Sequence, residues 1–286
     1  MSYERHQILR DHAVPSKALW RLLCGLAIIA AGSIALNFVW AMGLHALIGA
    51  GIGPQTGARL NVLLALSSFL MILISLVAAL AIVHRRGLGS LIGPSSDVLR
   101  DGARVMGVMI LALAVALVWP SPEGLVPQLN MSVGTWLRWL PLALVLLVIQ
   151  IATEELLFRG YLQSQLAARF RSPLIWLVVP AVVFALLHYN PAQPGNRWAV
   201  VGVTAVFALV AGDLTARTGN LGAAMAIHFA NNFGSILLVG AAGPMAGLAL
   251  YSVQVDAADP VMLPRYALEA GLIIVIWLAA RLVLRR

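Results

Sequence analysis

Charge and cysteine are what this sequence is short of. Only 10% of its 286 residues are Asp, Glu, Lys or Arg, against about one-quarter in soluble domains. The single cysteine, Cys24, excludes an intramolecular disulfide and any cysteine-cluster metal site, and it reads as a small apolar residue within a helix. Strict alternation of apolar and polar residues is missing too, which argues against a transmembrane barrel. There is no internal repeat, no low-complexity tract and no HExxH zinc signature. The net charge is +8, but the basic residues are scattered over short loops and not grouped with aromatics. That pattern excludes a nucleic acid as partner.

What is present is apolar sequence in long runs. Hydrophobic residues make up 61% of the chain and the mean hydropathy is +0.91. Backbone groups in lipid must be satisfied within each segment, so the expectation is an all-α, polytopic, multi-pass membrane protein, in the inner or plasma membrane if the source is bacterial. A span needs about 20 apolar residues. Eight stretches qualify as candidates: 18–42, 60–84, 105–119, 136–158, 174–188, 198–216, 221–239 and 266–284. The first follows about sixteen mostly polar residues and is too long for a signal-peptide core, so it reads as a span that stays. With an inside N-terminus, the outer loops hold only Arg59, Arg138, Arg197 and Arg265, and every other Lys and Arg falls inside. Both termini are therefore expected in the cytoplasm.

Ionisable residues within spans are costly, and each is a functional candidate until a simple partner is found. Asp213 and Arg217 stand four apart on one helix and can pair. Asp97 and Asp101 fall in a stretch read as a loop. His6 and His12 belong to the N-terminal tail, His84 sits beside Arg85 at a membrane boundary, and His45 follows the first span. The segment "IATEELLFRGYLQSQL", 151–166, is harder to dismiss. Glu155 and Arg159 are four apart and read as an ion pair. Glu154 is rotated by about 100° and has Phe158 as its i+4 neighbour. It needs a partner from elsewhere.

Spacing indicates which residues can reach it. The "RSP" at 171–173 reads as the turn of a helical hairpin, with Glu154 and His188 each seventeen residues from Arg171. In an antiparallel pair they are level, about 25 Å from the turn. A second turn near Gly219 puts His228 nine residues beyond it, roughly 13 Å along its helix. Asn232, four residues on, shares that helix face. The backbone after His188, "YNPAQPGN", cannot continue as a simple helix through Pro191 and Pro194. It either lines a water-filled chamber within the membrane or forms an ordinary outer loop.

These residues resemble the motifs of the CAAX-protease and bacteriocin-processing (Abi) family of intramembrane proteases. "EELLFR" fits EExxxR, "FALLH" (Phe184, His188) fits FxxxH, and "HFANN" (His228, Asn232) fits HxxxN. The resemblance covers roughly 136–239, which it marks as a catalytic core; the apolar runs and charges give a cytoplasmic tail (1–16), N-terminal transmembrane helices (17–135) and an outer loop with the last helix (240–286). It implies an endopeptidase similar to the type II CAAX prenyl endopeptidase, acting on a peptide or membrane-anchored protein in the lipid bilayer. Glu154, His188, His228 and Asn232 then carry catalysis, and Glu155, Arg159 and Phe184 support it. Two chemistries remain open. In one, Glu154 and His188 activate a water while His228 and Asn232 face the oxyanion. In the other, Glu154, His188 and His228 ligate Zn2+. A proton-coupled transporter and a non-catalytic immunity or scaffold protein are the competing functions.

Overall fold

The computed structural model describes residues 3–48, 54–118, 126–191, 195–255 and 262–285. Eight main helices account for most of them. Helix α1 is Leu19–Ile48, and α2 is Pro54–Ala79, prolonged by a π-helical turn at Leu80–His84. Helix α3 is Ser95–Val118. Helix α4 is Val133–Glu155, continuing through a π-helical stretch, Leu156–Leu162, to Gln163–Ala167. Helix α5 runs as Leu174–Val178 and Val179–Leu186, and α6 is Arg197–Thr218. Helix α7 is Gly222–Asn232 with a π-helical end at Phe233–Leu238, and α8 is Leu263–Val283.

Each of the eight apolar stretches thus falls on a helix, and five helices are long and apolar enough to cross a membrane: α1, α2, α4, α6 and α8. The other three fall short for separate reasons. Helix α5 has only Leu174–Leu186, and α7 ends at Leu238, both below the ~20 residues a span requires. Helix α3 is longer but opens with Asp97, Arg100, Asp101 and Arg104, so its apolar run is confined to 105–118. The expectation of a loop at Asp97 and Asp101 is corrected here. Asp97 sits in the first turn of α3, where a carboxylate complements the helix dipole, and takes Arg5 and Arg100 as partners. Asp101 is buried and accepts from Asn220 Nδ2 at 2.8 Å.

Helix α6 is the axis of the bundle. Half of its apolar window is buried, against 6% for α8 and 17% for α1, so α1 and α8 present most of their surface outward. Helices α5 and α8 pack on α6, α3 packs on α7, and α2 packs on both α1 and α4. The α3–α7 contact is close because Gly222 has no Cβ: one would overlap the Val98 carbonyl. Gly219 ends α6 in the left-handed region, at φ 70°, which glycine adopts without strain. This is the turn expected from "RTGN".

Two features lie outside the eight-helix expectation. A small sheet, β1 (Gln128–Leu129), β2 (Val239–Ala241) and β3 (Tyr251–Val253), has the order β1-β3-β2, antiparallel between β1 and β3 and parallel between β2 and β3. The N-terminal segment is also docked against the bundle. Leu9 and Ala13 are fully buried, Tyr3 donates to Asp213 at 2.7 Å, and His6 stacks on Trp176 at 4.7 Å. Burial, with Arg10 nearby, lowers the His6 pKa to about 4.

Candidate active site

Glu154 and Glu155 close the α-helical part of α4, immediately before its π-helical stretch. Such wide turns inside helices recur at functional sites. Adjacent residues on a helix diverge, and these two enter different surroundings. Glu155 faces inward and is fully buried. Its Oε1 accepts from Arg159 Nη1 at 3.0 Å and from His228 Nδ1 at 2.7 Å, while its Oε2 has no hydrogen-bond partner. The Arg159 guanidinium, also buried, lies 4.6 Å over the Phe184 ring and 6.0 Å from that of Phe207. The expected ion pair is present, with an aromatic lid added.

Glu154 instead faces a cavity of about 280 Å3. Its walls include Phe69 and Ile72 of α2, Leu157 of α4, and Phe184 and His188 at the end of α5. The hairpin count is borne out: Glu154 and His188 line one cavity. Helix α5 stops at Leu186, so His188 lies in the turn beyond it. Its Nδ1 is 2.9 Å from the Phe184 carbonyl. A carbonyl only accepts, so Nδ1 carries the proton and the Nε2 lone pair is left free. Phe184 holds this ring at 4.7 Å and touches Phe158 at 5.0 Å.

His228 stands behind Glu154, between the two carboxylates. Its Nδ1–H is committed to Glu155, and its Nε2 is 3.3 Å from Glu154 Oε2. A proton on either of these two atoms would face the other. The Phe207 ring packs against the imidazole at 5.1 Å. Asn232 does not reach Glu154 directly. Its Nδ2 donates to Gln150 Oε1 at 2.9 Å, and Gln150 Nε2 donates to Glu154 Oε2 at 2.8 Å.

Gln150 is the group that sequence reasoning missed. A signal existed: it is one turn before Glu154 in an otherwise apolar run, and i,i+4 side chains meet. Phe69, Ile72 and Phe207 had no such signal, because apolar residues in apolar helices are indistinguishable until the helices are packed.

The three residues considered for zinc meet that role only in part. Glu154 Oε2 and His228 Nε2 have the separation of two ligands on a tetrahedral ion, about 3.3 Å for bonds of ~2.0–2.1 Å. His188 does not complete the set. Among the described residues no three His, Cys, Asp or Glu side chains converge to hold a metal.

No solved structure matches the chain. A curated relative, the uncharacterized protein YyaK of Bacillus subtilis (strain 168), is 31% identical over 106 residues, which are 37% of this chain. The chain spans about a third (35%) of that relative's length. The segment that carries Glu154, His188, His228 and Asn232 is also the one that a known family describes: residues 136–234 match the family of type II CAAX prenyl endopeptidase Rce1-like proteins.

Proposed function

We propose that the protein is an intramembrane endopeptidase that hydrolyses a peptide bond of a membrane-associated substrate with a water activated by Glu154. The observation that carries this reading is the pair Glu154–His188 across one largely apolar cavity, with Glu154 backed by His228 and Glu155. A water in that cavity donates to Glu154 and to the free Nε2 of His188. Glu154 takes its proton as the oxygen attacks the carbonyl carbon. Glu154, with His228 3.3 Å away, then returns the proton it took from the water to the leaving amine. Glu155 and Arg159 fix the His228 ring and tautomer, in the way a third group orients a catalytic histidine. Asn232 has a second N–H beyond the one given to Gln150, and this is the group assigned to the oxyanion.

The finer topology belongs to the same proposal: eight helices cross or enter the bilayer, and both termini face the cytoplasm. The order α1 to α4 supports this. The start of α1, the end of α2 and the end of α4 each carry arginines, Arg21, Arg86 and Arg169. A substrate held by a lipid anchor, prenyl included, fits the apolar walls beside Glu154.

The deciding experiment is a cleavage assay with purified protein and membrane-anchored peptides. Products at one bond support the peptidase, and their absence with every peptide leaves the immunity, scaffold or transporter functions. Elemental analysis of active protein is expected to give well under one zinc per chain. Stoichiometric zinc that is lost in His188→Ala and His228→Ala, and that restores stripped protein, would replace glutamate catalysis with a metal centre.

A further inference from the structure

Helix α4 carries a second buried polar cluster, near its C-terminal end and away from the cavity. His84 sits at its centre, with Nε2 2.9 Å from the Tyr161 hydroxyl and Nδ1 2.9 Å from Ser16 Oγ. Gln165 Nε2 adds a contact to Nδ1 at 3.2 Å. An amide nitrogen only donates, so Nδ1 accepts, Nε2 carries the proton, and the ring is a neutral hub. Gly25 of α1 makes room for it, because a Cβ there would overlap the Tyr161 hydroxyl.

Three arginines close on this hub from three helices. Arg21, at the start of α1, donates to the Val83 carbonyl at 3.1 Å. Arg86, just past α2, donates to the Ser90 hydroxyl and carbonyl. Arg169, just past α4, donates to the side chain and carbonyl of Gln165 and to the carbonyls of Ser16 and Ala18. All these partners are neutral, and no carboxylate meets any of the three among the described residues. Two donors, Arg86 Nη1 and Arg169 Nε, are buried with no partner at all. Burial pulls the Arg86 pKa down to about 10 and lowers that of Arg169. By contrast, the buried Arg159 is paired with Glu155 and the half-buried Arg217 with Asp213.

No counter-charge is present among the described residues, and the surroundings indicate a source outside the chain. The cluster lies where α1 begins and α2 and α4 end, at one membrane boundary. Leu19, Trp20 and Leu23 are exposed beside it, and the Arg21 guanidinium lies 5.2 Å over the Trp20 ring. Exposed apolar side chains next to arginines at a helix end suit acyl chains below a headgroup. Guanidinium groups also bind phosphate in bidentate fashion. We propose that Arg21, Arg86 and Arg169 form a binding site for the phosphate of an anionic phospholipid, which supplies the counter-charge that this end of α4 lacks.

The test uses the full chain in nanodiscs of phosphatidylcholine with and without phosphatidylglycerol. Retained lipid is counted by native mass spectrometry, and the thermal midpoint is recorded in parallel. The wild type is expected to keep phosphatidylglycerol in preference to phosphatidylcholine and to melt higher with it. In Arg86→Gln/Arg169→Gln the preference should fall by about tenfold or more, since each arginine near a charged headgroup contributes roughly fivefold. The exposed control Arg10→Gln should keep it. If the double variant does not fold, the wild-type preference and its loss at high salt still decide. Equal retention of the two lipids by the wild type, or an unchanged preference in the folded double variant, would overturn the proposal. Inorganic phosphate added to phosphatidylcholine discs should stabilise little, and stabilisation as large as that from phosphatidylglycerol would mean a free-phosphate site. A double variant that loses only affinity for a peptide substrate, with lipid preference intact, would assign the arginines to a substrate carboxylate instead.

Discussion

Helix α4 meets a buried histidine at each of two levels, and their surroundings have opposite charge balances. His228 lies between two carboxylates with one arginine to compensate them. His84 lies among hydroxyls and an amide, with cations around it and no acid among the described residues. In the first cluster Glu154 and His228 face each other beside a cavity, which is what the proposed proton transfer requires. In the second, the histidine is fixed by Ser16 and Tyr161, and its Nε2–H faces a hydroxyl and not a carboxylate. The comparison teaches that a buried histidine gains chemistry from what faces its second nitrogen. Burial alone supplies none.

The sharpest way to break that contrast is Glu154→Gln. The amide keeps the size and the Gln150 contact but cannot take a proton from water, so turnover should drop by roughly 100-fold or more, with folding unchanged. Activity above a tenth of wild type at matched protein level would remove Glu154 from its role. Next is Arg159→Ala, which strands Glu155 as a buried charge and should cost about 3–5 kcal/mol of stability. A melting temperature lower than that of Glu154→Gln is the expected result.

A third prediction concerns His6, whose docked pKa of about 4 lies below the 6.5 of a free imidazole. The undocked segment binds a proton that the docked one does not, so docking is intact above pH 6.5 and weakens as pH falls toward 4. The loss approaches about 3 kcal/mol at the acid end. Quenching of Trp176 fluorescence or protease access to residues 3–16 would follow it, and His6→Phe should remove the pH dependence while keeping the stack. The smallest effect is expected for Gln150→Leu. It releases Asn232 and one hydrogen bond to Glu154, costing about 1 kcal/mol of stability and about tenfold in kcat. A shifted acidic limb in the rate profile would identify positioning rather than packing.

Much of this was legible in the sequence, and the reasons differ from residue to residue. Glu155–Arg159 and Asp213–Arg217 follow from helical spacing, which needs no tertiary knowledge. That Glu154 and His188 line one cavity follows from counting back from the turn between them, since rise per residue is nearly constant. Asp97 and Asp101 were misread because charge was taken for loop, when charge at a helix start is favourable. The docking of residues 3–16 was hidden for a related reason: Leu9 and Ala13 are too few to show a periodicity. The strands at Gln128–Leu129, Val239–Ala241 and Tyr251–Val253 are shorter than any alternation pattern can reveal.

The partners of Glu155 also arrive at different times during synthesis. Arg159 follows it by four residues, whereas His228 lies 73 residues further along the chain. Helix α4 therefore reaches the bilayer with one carboxylate already matched by its own helix and with Glu154 still lacking both histidines. The contacts of His228 with Glu154 and Glu155 are completed only when α7 has been made and packed, so the proposed site is still incomplete while the first four helices are being inserted.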